Sequence, residues 1–113
     1  KDVNTGEPVD SQTLFPIASN TKAITSAALA MLVDRGLIKW DDKVTKYLPY
    51  FKLYDPYVTE NMTIRDLLTH RSGLETFSGD LLWYGTVYSR EEVIRRASHL
   101  KPAFGFRERF GYS

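Results

Sequence analysis

The sequence predicts a mainly helical chain with very little strand, any sheet of the whole protein coming mostly from sequence outside these 113 residues. Three observations lead there. Apolar residues recur at helical spacing between Asn20 and Arg35, helix-capping residues stand before two further apolar faces, and only residues 103–113 alternate, weakly, as a strand would. With 42% hydrophobic and 26% charged residues, the composition is that of a soluble globular protein.

From Lys1 to Pro16, Asn4-Thr5-Gly6-Glu7-Pro8 supplies turn chemistry, and Pro16 biases Phe15 away from helix. Ala23, Ile24, Ala27, Ala28, Met31 and Leu32 then form one helical face. Ser19 or Asn20 can cap this helix, Gly36 can close it, and its alanines predict a central, largely buried element. A short helix is expected from Trp40-Asp41-Asp42 through Tyr47, followed by an aromatic-rich loop over Tyr50–Asn61. Thr63 caps another short helix to Thr69, and Arg71-Ser72-Gly73 turns the chain. Ser89 and Glu92 have capping-box spacing before an apolar face that reaches about Leu100, with Pro102 as the stop. Ala103–Ser113 is expected to be extended or an ordered loop.

A net charge of +1 produces no field that would attract nucleic acid or an anionic membrane. The longest apolar stretch, Ala27–Val33, is far short of the roughly 20 residues that span a bilayer. The absence of cysteine excludes disulfides and thiolate metal sites. His70 and His99 are isolated from carboxylates at metal-ligand spacing, and His70, at a helix end, is expected to make a local backbone bond or complete packing. Arg95-Arg96 and Arg107-Glu108-Arg109 read as a solvated face, Asp41-Asp42 as a helix start, and the glycosylation pattern Asn61-Met62-Thr63 as a chance occurrence.

Ser19-Asn20-Thr21-Lys22 sets a hydroxyl and an amine three positions apart at a helix start, hence on one face about a turn apart. A serine hydroxyl needs a base, and a lysine serves as one only while part of it is neutral. Burial and the positive end of the helix dipole both disfavour the ammonium form. The same dipole favours a developing oxyanion, with the Ser19 N–H as a candidate donor. The bland alternative is a helix cap beside a solvated lysine, and the spacing arises often by chance, so its surroundings carry the weight.

Phe15-Pro16-Ile17-Ala18-Ser19-Asn20-Thr21-Lys22, with the alanine-rich helix after it, resembles the nucleophile segment of serine hydrolases of the penicillin-binding-protein and class C β-lactamase type. Asp41–Pro49 and Thr63–Leu74 resemble that family's next segments, the second ending in Leu-Leu-Thr-His-x-Ser-Gly-Leu, and Phe110-Gly111-Tyr112-Ser113 resembles the start of its Tyr-Ser-Asn motif. The likeness is weakest between Glu75 and Ser98. It implies an α+β, β-lactamase/transpeptidase-like fold of which this chain is mainly the helical part, with most of the antiparallel sheet missing, so that residues 1–113 form one partial domain truncated at both ends.

The resemblance also implies that Ser19 is the acylated nucleophile, Lys22 its activator and Tyr112 a phenolic acid/base. A free phenol has a pKa of about 10, so work as a base requires a nearby cation such as Lys22; without the family, Tyr112 reads as half-buried core. The implied reaction is hydrolysis of an ester, amide or lactam carbonyl in a small-molecule or peptide substrate, with no cofactor, in a family often exported to the bacterial envelope. An asparagine after Ser113 and a later Lys-Thr-Gly or His-x-Gly strand belong to the same machinery. The remainder of the catalytic domain is therefore needed to complete the site, and the 113 residues alone are expected to be inactive. A penicillin-binding sensor or a degenerate, non-catalytic binding module is the alternative; a purely structural helical fragment would require Ser19 and Lys22 to point apart.

Overall fold

Five α-helices and no β-strand make up the computed structural model, which describes residues 1–113. The chain divides into two units, Lys1–Met31 and Leu32–Ser113. In the first, the Asp2 carboxylate accepts the N–H groups of Asn4 and Thr5 at 2.7 and 2.8 Å, closing the expected turn. Asp10 makes a second turn by accepting from Gln12 N–H at 2.9 Å.

Helix α1, Thr21–Asp34, is entered through a 3₁₀ turn over Ala18–Asn20, so Ser19 lies inside the helical run and not at its flank. Its end is the expected one. Gly36, at φ +70°, donates to the Val33 carbonyl at 2.9 Å while Leu37 donates to Leu32 at 3.0 Å, the paired bonds of a left-handed helix terminus. The expected burial of α1 is not found: none of its residues is buried, and Ile24 and Met31 are exposed. The apolar stripe is present, but burial needs covering surface, which residues 1–113 do not supply.

The second unit has a small core. Val44, Val58 and Met62 are buried together, with Leu48, Phe51, Leu53 and Phe106 packed against them. Val44 comes from α2 (Val44–Tyr47), which begins later than Trp40-Asp41-Asp42 suggested. Residues 40–44 are instead paired with 62–65: Val44 N–H donates to Met62, Ile64 to Asp42 and Arg65 to Trp40, around an antiparallel bridge between Lys43 and Thr63. Main-chain pairing with a distant segment won over a local helical turn.

Part of the expected 50–61 loop is helix α3, Pro56–Asn61, which supplies Val58 to the core. Its start has a local cause: the Asp55 side chain accepts the Tyr57 N–H, and Pro56 occupies the first turn, where its missing N–H costs nothing. Helix α4, Ile64–Thr69, carries a full capping box, Thr63 accepting from Asp66 N–H and the Asp66 carboxylate accepting from Thr63 N–H. Helix α5, Arg90–Ala97, has half of one. Ser89 accepts from Glu92 N–H, but the Glu92 carboxylate turns to Arg95 and Arg96, both at 2.6 Å.

Residues 103–113 follow residues 70–77 without forming a strand. Ala103 and Phe104 donate to the Gly73 carbonyl, Arg107 to Arg71 and Gly111 to His70, while Phe77 donates to Tyr112 at 2.7 Å. No helix is long and apolar enough to cross a membrane.

Candidate active site

Ser19 and Lys22 meet, as their spacing predicts: Lys22 Nζ donates to Ser19 Oγ at 3.3 Å. Ser19 sits in the 3₁₀ turn and Lys22 in the first turn of α1, so the contact spans one helical turn. The turn is entered through Ala18 at φ +44°, a left-handed conformation that costs a residue with a Cβ and that recurs where a functional side chain must be aimed. Both side chains are exposed, so burial around Lys22, expected from the alanine-rich pattern, is not provided by these residues. The structure thus brings the hydroxyl and the amine within reach of each other at the helix start, the proximity that a serine–lysine pair needs.

Tyr112 belongs to the second unit. It is half-buried, with its ring tilted over His70 at 4.7 Å between centroids and edge-on to Phe77 at 6.0 Å. His70 closes α4 in the left-handed region, φ +53°, and its carbonyl accepts the Gly111 N–H at 2.9 Å. Its Nδ1 stands 3.2 Å from the Ser113 carbonyl and 3.4 Å from the Ser113 N–H, so either ring tautomer retains one bond. His70 thus completes packing, as one of the two expected roles has it, but its ring bonds a backbone that is not local: the partner is Ser113, 43 residues on, in the Tyr112 segment.

Gly111 is glycine for a reason of space. A Cβ there would overlap the Leu74 carbonyl oxygen and press on the Phe104 ring at 3.3 Å. Close backbone passage past Leu74 is what brings the chain to Tyr112.

The solvated-face expectation for Arg107-Glu108-Arg109 is corrected at Arg107. Its Nε and Nη2 donate to the two carboxylate oxygens of Asp66 at 2.8 and 2.7 Å, and Asp66 is only 4% exposed. Burial pushes the Asp66 carboxyl up, but hydrogen bonds from Arg107 and from Thr63 outweigh it and hold it at about 2. Sequence reasoning missed this pair. The capping-box position of Asp66 was a local signal, but its partner lies 41 residues away and nothing nearby marks it. Arg109 does face solvent as expected, 3.7 Å from the equally exposed Glu108.

Of the charged pairs on residues 41 and 42, Asp42–Lys46 is local, while Asp41–Arg65 joins segments 24 residues apart. Asp41 accepts from Arg65 at 2.8 Å, and Asp42 accepts from Tyr47, Lys39 N–H and Lys46, which together hold its carboxyl at about 2. Asn61 is engaged on both amide atoms, by Lys43 and by the Tyr57 carbonyl, beside a fully buried Met62.

The family model described as Beta-lactamase matches residues 1–113. Penicillin-binding protein 4* of Bacillus subtilis (strain 168) is 38% identical over 72 residues, 64% of this chain and 15% of that protein. Protein flp of Staphylococcus aureus (strain NCTC 8325 / PS 47) is 31% identical over 99 residues, 88% of this chain and 19% of its own. Unguisins hydrolase ungD' of Aspergillus campestris is 32% identical over 114 residues, 93% of this chain and 21% of its own. The chain therefore spans about a fifth or less of the length of the curated relatives it matches.

Proposed function

The chain belongs to the beta-lactamase family, and from that premise we propose that it carries the nucleophile of a serine hydrolase acting through an acyl-enzyme on an ester, amide or lactam carbonyl. The observation that carries the reading is the 3.3 Å contact between Lys22 Nζ and Ser19 Oγ. It also counts against a purely structural role, for which the two side chains would point apart.

In this reading the neutral amine of Lys22 takes the Ser19 proton as Oγ bonds to the substrate carbonyl carbon, and the carbonyl π electrons move to oxygen. Collapse of the tetrahedral adduct breaks the bond to the leaving group, which departs with a proton delivered by Tyr112 or Lys22. Water, losing its proton by the reverse route, then cleaves the acyl–Ser19 ester. Tyr112 is the phenolic acid/base, and no cofactor enters. The rest of the protein supplies the antiparallel sheet, the cover over α1 and the second oxyanion donor, which makes residues 1–113 one part of a single catalytic domain. The names of the relatives, one a penicillin-binding protein and one a hydrolase, are compatible with a small-molecule or peptide substrate.

The test uses the full-length protein with p-nitrophenyl acetate and, separately, a fluorescent penicillin, the labelled residue being located by mass spectrometry and Ser19→Ala serving as control. Ester turnover that disappears in Ser19→Ala is the expected result. A slowly released adduct on Ser19 without turnover would make the protein a penicillin-binding sensor. No adduct and no Ser19-dependent turnover would remove the hydrolase reading.

A further inference from the structure

Residues 103–113 have neither helix nor strand to fix their path, so other contacts must set it. Arg107 stands out there. Its backbone is at φ +63°, a left-handed conformation that is unfavourable for a residue with a Cβ. A side chain or neighbour must hold it in that state, and the structure supplies both. The guanidinium makes a two-pronged pair with the buried Asp66 and reaches the Asn61 carbonyl at 3.2 Å. The Arg107 N–H donates to the Arg71 carbonyl at 3.0 Å, and the Arg107 carbonyl accepts from the Arg71 guanidinium.

Asp66 is a fixed anchor for this pair. Its carboxylate is already held by the Thr63 N–H at 3.0 Å and the Thr63 hydroxyl at 2.6 Å, at the start of α4. On the other side of Arg107, Phe106 packs against the core. Only residues 108–110 separate this anchored pair from Gly111, whose N–H is bound to His70, and from Tyr112. The direction in which the chain leaves residue 107 therefore constrains where Tyr112 stands on α4.

We propose that Arg107 is a positioning residue for Tyr112: its bidentate pair with Asp66 holds residue 107 in the left-handed conformation and so fixes the path of the Tyr112 segment, a role that rests on Tyr112 being the acid/base group of the hydrolase. Arg is suited to this because its planar fork matches both carboxylate oxygens, whereas a lysine offers a point charge.

The experiment compares full-length wild type with Arg107→Gly, Arg107→Lys and Asp66→Asn. Glycine at 107 accepts the left-handed backbone without strain but lacks the fork, so it separates the ion pair from the backbone conformation. Two readouts are taken: amide exchange at Gly111 and Phe77, and kcat and KM for p-nitrophenyl acetate. Exchange at Gly111 is expected to rise about 10-fold or more in Arg107→Gly while the amides of α4 keep their protection. Over the same change kcat is expected to fall between about 10- and 100-fold with KM moving less than about 3-fold, and Arg107→Lys should lie between the two. Unchanged exchange at Gly111 in Arg107→Gly would overturn the anchor. Faster exchange with kcat unchanged would overturn the positioning role and leave a structural pair. A wild type without Ser19-dependent turnover would overturn the hydrolase reading and the catalytic purpose of the anchor, while exchange at Gly111 would still decide whether the anchor exists.

Discussion

The Lys22 amine donates to the Ser19 hydroxyl at 3.3 Å across the junction of a 3₁₀ turn and α1. The same contact run in reverse is the proton path of the proposed acylation, provided the amine is neutral when serine attacks. Two substitutions separate a base from a mere positive charge. Lys22→Arg keeps the charge but cannot lose its proton, and Lys22→Met loses both. If lysine is the base, both variants lower kcat/KM for p-nitrophenyl acetate by about 10²- to 10⁴-fold, measured from initial rates in the full-length protein. Substantial activity in Lys22→Arg would mean that charge alone suffices.

Gly111→Ala tests the close passage at Leu74. The added methyl would overlap the Leu74 carbonyl oxygen, which is backbone and cannot swing aside, and would crowd the Phe104 ring. Relief requires the segment to shift, loosening the Gly111–His70 bond and the stacking of Tyr112 on His70. The expected cost is about 1–3 kcal/mol, read from the midpoint of urea unfolding, with a fall in kcat alongside. A variant as stable and as active as wild type would show that the passage is looser than the structure has it.

Local chemistry made several elements legible. Gly36 ends α1, Thr63 starts α4 and Ser89 starts α5 where caps and apolar spacing indicate, because each depends on residues within a few positions of itself. The Ser19–Lys22 contact was legible for the same reason. What escaped the sequence depends on distant partners: the pairing of 40–44 with 62–65 that delays α2, the Asp66–Arg107 pair, and the path of residues 103–113 along 70–77. The burial of α1 was overestimated because an alanine-rich face states what a helix can pack against, and the packing surface itself must come from elsewhere.

Helix α3 was missed although its signal is local, and that signal is testable. Asp55 accepts the Tyr57 N–H at 2.8 Å with Pro56 following, and the helix so started delivers the buried Val58. Asp55→Ala should cost about 1 kcal/mol, whereas Asp55→Asn, which retains an acceptor, should cost a few tenths. Equal losses in the two variants, measured by urea unfolding, would place the effect of Asp55 in its charge and not in the cap.

Acid should weaken the second unit through Asp66. Burial disfavours the charged form of this carboxyl, but Arg107 and Thr63 favour it more strongly, so it titrates at about 2 in the folded chain against an ordinary value of 3.8. A depressed carboxyl pKa contributes stability that is fully present above the unfolded value and is lost as pH falls through the folded one. Between about pH 4 and pH 2 the contribution of Asp66 therefore declines, by about 1–2 kcal/mol once solvent screening of the 43% exposed Arg107 side chain is allowed for. Glu92 and Asp42 also titrate at about 2, so the total loss in acid exceeds that of Asp66, and only a difference measurement isolates it. Wild type and Asp66→Asn should differ in unfolding free energy by a constant amount above about pH 5 and converge toward pH 2. A gap that keeps its size across that range would mean that Asp66 stabilises the chain by its shape and hydrogen bonds, with no part played by its ionisation.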